Sequence, residues 1–233
     1  MPQPGAIVKQ IAGIATTMNE TPCWRLEATL IALTVEGEDP VVLTLDGHLP
    51  TTTLAPPCAD LTDALHDWFH ARVGLDPGPT HALTASAADP STIRYAEVGL
   101  LASLASNASG VDRLRVYDLM PALDHRSARS PRPSTLTADE LALVGRGLLL
   151  LRDLLDRTSV LAPLLAATFT LPALIGRIEA LTGEQVHAPN ARRRLVESTL
   201  IEPVGLRIRT GTGRPAELWR WRHPLTLSLD ETK

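Results

Sequence analysis

The apolar positions of this 233-residue chain change period along its length, and each change marks an element. Residues 26–35 and 41–45 are β-branched and aliphatic runs separated by EGEDP, which predicts two strands joined by a turn. Residues 49–57 are rich in Pro and Thr and predict a loop. Between 61 and 73, Leu61, Leu65, Trp68 and Phe69 share one helical face, and Gly74 supplies the stop. Residues 80–87, 93–103 and 114–119 predict further strands, the first two around a DPST turn. Residues 126–135, RSARSPRPST, read as a linker. A long helix is predicted over 136–156, with Thr137 as its cap and Leu141, Val144, Leu148, Leu151 and Leu155 as its stripe. That stripe suits a dimer seam or burial against its own domain.

The last quarter has a more specific order. Thr170 can cap a helix that Pro172 opens, and Leu171, Leu174, Ile175, Ile178 and Leu181 form its apolar face before Gly183 ends it. A second helix starts at Pro189 or Asn190, with Leu195, Val196 and Leu200 supplying apolar contacts. A hairpin over 201–222 follows, with TGTG at its tip. Helix, helix and hairpin in this order predict a winged helix-turn-helix that reads duplex DNA. Arg192, Arg193 and Arg194 fall where the reading helix enters the major groove, and Asn190 is a base or backbone contact. Arg207, Arg209 and Arg214 flank the wing tip and suit phosphates; Thr170 completes the candidate DNA-binding set.

Charge supports this division. The chain carries 22 Lys and Arg against 26 Asp and Glu, for a net charge of −4. Residues 189–222 hold 8 Arg and 3 Glu, an excess of +5, whereas residues 1–140 hold 9 basic and 17 acidic residues, or −8. A basic end on an acidic body fits a DNA reader joined to a partner domain. Two cysteines, Cys23 and Cys58, form neither a disulfide framework nor a CxxC metal pair. No apolar run is long enough to span a membrane, and the first residues lack a secretion signal, so the expected location is the cytoplasm. The near absence of lysine reads as coding bias of a GC-rich genome.

The chain resembles the Nudix-related transcriptional regulators of NAD metabolism, in which a Nudix-like domain precedes a winged helix. The resemblance rests on Leu49-Pro50-Thr51-Thr52 in the place of a Leu-Pro-Gly-Gly loop, on the IRYAEVGLLASL segment, and on Pro121, Leu123, Asp124 and His125. It is closest at FTL (169–171), at Asn190 with Arg192 and Arg193, and at GRPAELW (213–219). It implies an α+β fold: a Nudix-like sandwich over residues 1–125 with a lead at 1–22, the linker at 126–135, and a linker helix plus winged helix over 136–233. It also implies a homodimeric repressor on a pseudo-palindromic operator, released by a small-molecule effector, ADP-ribose or another nucleotide metabolite. Thr51, Thr52 and Arg72 are the candidate effector contacts.

The departures from that family matter as much. Aligned on Gly74 and Leu75, the glutamates that hold metal in a Nudix enzyme correspond to Trp68, Ala71 and Arg72. An indole, a methyl and a cation cannot bind magnesium, so the expectation is no catalysis, no metal and no cofactor. His66 and His70 are four apart, with Cys58 or Asp63 as possible third ligands, but they read as surface or capping histidines. His125, after Asp124, reads as a hinge hydrogen bond. Two rival functions stay open: a hydrolase with non-standard ligands, and a winged helix that docks a protein.

Overall fold

The computed structural model describes residues 25–54, 60–89, 92–102, 110–124, 130–155, 159–197, 199–209 and 215–222. The predicted lead at 1–22, both cysteines, His125 and Arg214 lie outside these residues.

Strand β1 (Arg25–Glu36) organises the N-terminal half. Its even positions Leu26, Ala28, Leu30 and Ala32 pack with Leu65 and Phe69 of helix α1 (Leu61–Val73). Its odd positions Ile31, Leu33 and Val35 pack with Val144, Leu148 and Leu151 of helix α3 (Ala138–Leu154). Burial on both faces explains why the strand reads as one apolar run instead of an alternation. The other strands are β2 (Asp39–Leu45), β3 (Thr51–Leu54), β4 (Thr80–Asp89), β5 (Thr92–Leu100) and β6 (Val111–Arg115). The six-stranded sheet runs β4-β5-β1-β2-β6, with β3 also on β1. Only β1 and β5 are parallel among these pairs.

Two sequence expectations change here. Part of the predicted 49–57 loop is strand β3, whose Thr51, Thr52 and Thr53 pair with Thr29, Ala28 and Glu27. Threonine is β-branched and suits a pleated edge, and the free N-terminal half of β1 offers the partner. The strand expected at 114–119 instead ends at Arg115, and Val116–Leu119 form a helical turn, α2. Val116 and Tyr117 are consecutive and both fully buried, which a turn allows and a one-sided strand does not.

The helix ends follow local chemistry. Asp60 accepts from the amides of Thr62 at 2.8 Å and Asp63 at 3.1 Å, and Gly74 closes α1 at φ 75°. Thr137 and Glu140 form a reciprocal capping box on α3. Glu140 also accepts from the Leu49 amide at 2.9 Å, which pins the β2–β3 loop to this helix. Burial raises the Glu140 carboxyl, but hydrogen bonds from Thr137, Leu49 and His48 outweigh it and hold the group below its usual range.

Helix α3, expected with the C-terminal unit, packs on the sheet. Its Gly147 lies so close to β5 that an added Cβ would sit 3.0 Å from Val98 Cγ2. The apolar stripe is therefore consumed within the chain. The described part of the expected linker is also tied down: the Arg132 amide donates to Asp118 O at 2.8 Å, and Thr135 Oγ1 donates to Gly47 O.

The C-terminal half comprises β7 (Phe169–Thr170), α4 (Leu171–Thr182), α5 (Ala188–Glu197), β8 (Ile201–Ile208) and β9 (Ala216–Trp221). Its sheet runs β7-β9-β8. One apolar cluster continues from Ile31 and Val98 through Leu148 and Leu151 to Leu174, Leu181, Leu195 and Trp219, so the two halves share a core.

Candidate nucleic-acid interface

The start of α5 is set by its neighbours. Gly183 adopts φ 71°, closes α4 with a 2.9 Å bond to Glu179 O, and turns the chain. Glu179 then accepts from the Val186 amide at 2.9 Å, fixing the connection into α5. Ala191 and Leu195 are buried and define the inner face of α5. At about 100° per residue, Arg193 projects away from that face while Arg192 and Arg194 flank it on opposite sides. Asn190, Arg192, Arg193 and Arg194 are all exposed.

Arg193 pairs loosely with Glu197, 3.9 Å away and equally exposed. Arg192 leans toward the hairpin, 3.7 Å from Glu217 and 5.7 Å from the centre of the Trp219 ring. Arg194 lines a cleft with Arg152, Glu184 and Leu195. Val196, expected to pack inward, is exposed because it falls on the same outer side as Arg193.

The wing is bent by a register shift between Pro203 and Arg207, with Gly205 at φ 79°. Arg207 and Arg209 are exposed beyond the bend. Thr170 accepts from the Ala173 amide at 3.4 Å, so its hydroxyl serves the cap of α4.

Residues 161–221 match the family model of the NrtR DNA-binding winged helix domain. The C-terminal unit is an NrtR-type winged helix. The whole chain is similar in structure to Shewanella oneidensis NrtR complexed with a 27mer DNA: TM-score 0.65, 21% identity, covering 84% of this chain and 93% of that one. A second crystal structure of Shewanella oneidensis NrtR gives 0.66 and 20%, covering 84% and 94%. A MutT/nudix family protein from Enterococcus faecalis gives 0.64 and 11%, covering 95% and 94%. At these identities the likeness establishes the shared fold, a Nudix-like sandwich followed by a winged helix. A comparison with curated proteins finds no match.

Helix α1 carries the three positions that the sequence resemblance set against the Nudix glutamates. Trp68 is half-buried against the α1-side core, Ala71 is exposed, and Arg72 lies 3.7 Å from Asp46. Thr51 and Thr52 are neighbours on β3 and face opposite sides of the sheet. Thr51 Oγ1 is taken by Leu49 O at 3.1 Å and Thr29 Oγ1 at 2.9 Å.

The residue that sequence reasoning missed is Glu97. It is 1% exposed on β5 beneath α1. Thr80 Oγ1 donates to it at 2.6 Å, Thr62 Oγ1 and the Tyr95 hydroxyl also donate, and His66 Nε2 lies 3.5 Å away. His66 thus faces inward, not to solvent as expected. Burial raises the Glu97 carboxyl, but bonds from His66, Thr62, Thr80 and Tyr95 prevail and hold it below the ordinary range. Burial, with Glu97 beside it, pushes the Tyr95 phenol well up. Burial lowers the His81 imidazole, against the pull of Glu97. A lone acid in the apolar run RYAEVGLL was the available signal. Among the described residues, no group of three His, Cys, Asp or Glu is arranged to hold a metal. None of their helices is long and apolar enough to cross a membrane.

Proposed function

We propose that this chain is a transcriptional regulator that binds duplex DNA through α5 and the β8–β9 wing. The observation that carries this reading is the exposed basic edge of an NrtR-type winged helix: Asn190, Arg193 and Arg194 on the helix, with Arg192 beside them, and Arg207 and Arg209 on the wing. A structural neighbour, the Shewanella NrtR, was crystallised with a 27mer DNA. Arg214 and Thr170 belong to the same candidate set.

The acting form is a cytoplasmic homodimer and repressor, because two reading heads about one helical turn apart match a palindromic operator. We place the sensor at residues 25–155, including α3, and the reader at 159–222. The sensor is non-catalytic, since the side chains at 68, 71 and 72 supply no carboxylate for magnesium. Its effector, by family resemblance, is ADP-ribose or a related nucleotide metabolite. Incubation with ADP-ribose and magnesium then releases no AMP; steady release would instead support the hydrolase reading.

The decisive experiment is selection of duplex DNA from a random-sequence pool with the full-length chain, followed by titration of the enriched duplex at increasing salt. A reader neutralising several phosphates loses affinity steeply, by about 0.9 log units per log unit of salt for each phosphate. Failure to enrich any duplex overturns the proposal and favours a protein-docking winged helix.

A further inference from the structure

The candidate arginines of α5 cannot share one role, because consecutive helical residues point in different directions. Arg192 leans toward the wing of its own domain. Its guanidinium lies 3.7 Å from Glu217 and 5.7 Å from the centre of the Trp219 ring, both on β9. Strand β9 is central in the wing sheet, and Trp219 is 4% exposed and paired with Pro203 on one side and Phe169 on the other. Glu217 is also directly opposite Arg207 in the β8–β9 register. Glu217 therefore lies on the wing strand that faces Arg192 of the reading helix, in register with Arg207 on the neighbouring strand.

Resting on the DNA-reading function proposed above, we infer that Arg192 is a positioning residue: it clamps α5 to the wing through Glu217 and Trp219 and does not itself contact DNA. Its guanidinium is held toward the Glu217 carboxylate and the Trp219 ring instead of a phosphate, so it displaces no counterion from the DNA. Its planar group suits both partners, since guanidinium can lie over an indole face while an edge nitrogen meets a carboxylate. Arg193 projects from the outer face, beside Asn190, and suits entry into the groove.

The test uses the full-length protein and a duplex enriched from a random pool, with affinity measured across a salt series. Arg192→Ala should weaken binding about fivefold at every salt, a loss in keeping with one stacked and paired cation, while leaving the log–log salt slope at the wild-type value. Arg192→Lys keeps the charge but not the plane, and should bind no better than Arg192→Ala. Arg193→Ala, measured alongside, should lower the slope by about 1. A slope reduced by about 1 in Arg192→Ala, recovery by Arg192→Lys, or unchanged affinity would each overturn the positioning role. These results leave DNA reading itself intact; a pool that yields no enriched duplex removes both proposals together.

Discussion

The Tyr117 hydroxyl, buried at the end of the N-terminal sheet, donates to the carbonyl of Ala180 in the first helix of the winged domain at 2.8 Å. Arg152 of α3 reinforces the joint: its Nη2 donates to the Tyr117 oxygen at 3.1 Å and to Leu123 O at 3.0 Å, and its Nε to Leu181 O at 2.6 Å. The last carbonyls of α4 are thus capped by Tyr117 and Arg152 of the N-terminal half, at the point where the helix leaves such groups unpaired. This joint ties the N-terminal half to the first helix of the winged domain.

Tyr117→Phe keeps the ring and removes the bond. It should cost about 1–2 kcal/mol, because a buried carbonyl and an arginine each lose a partner. Denaturant titration measures the loss. In effector-coupled DNA titrations the same variant should narrow the affinity difference between the two states; an undiminished difference would place the coupling elsewhere.

Glu97 makes stability depend on pH with a definite sign. Its folded carboxyl is held below the unfolded value, so its contribution is complete above the ordinary carboxylate range and disappears as pH falls through the depressed value. Glu97→Ala should cost about 3 kcal/mol at pH 7 by leaving buried hydroxyls unpaired, and Glu97→Gln less. The wild-type and Glu97→Gln melting temperatures should converge on acidification. Parallel curves down to pH 3 would contradict the assignment.

Gly147 permits close packing of α3 on β5, where a Cβ would lie 3.0 Å from Val98 and 3.6 Å from Ile31. Gly147→Leu should therefore cost about 3 kcal/mol or more, since the added volume has no space beside Val98. Thermal unfolding tests it. Tolerance of the leucine would mean that α3 is not seated on the sheet.

Arg209 is exposed at the described end of the wing. If it meets a phosphate, Arg209→Ala should weaken binding to all duplexes alike and flatten the salt slope by about 0.9. A change in preferred sequence without a change in slope would make it a base reader.

Much of the fold was legible because it is fixed by local chemistry. Thr137 and Thr170 cap helices through hydroxyl oxygens, and Gly74 and Gly183 end them in the left-handed region. Those signals act within one turn, so the sequence displays them directly. The candidate interface was legible as a basic segment on a winged-helix pattern, but not as a set of roles. Arg192, Arg193 and Arg194 are identical letters, and only the placement of β9 turns the first toward Glu217 and Trp219.

Strand β3, the Glu97 cluster and the seat of α3 likewise depend on partners far away in the chain. Thr51–Leu54 becomes a strand because β1 has an open edge beside it, and Glu97 is tolerated in the core because Thr62, Thr80, Tyr95 and His66 converge on it. The sequence by itself determined where helices start and stop, where positive charge gathers, and that Trp68, Ala71 and Arg72 stand where the resemblance would put carboxylates. The tertiary structure alone decided which polar groups are satisfied, which arginine faces outward, and that sensor and reader share one core, because those outcomes rest on contacts between residues tens of positions apart.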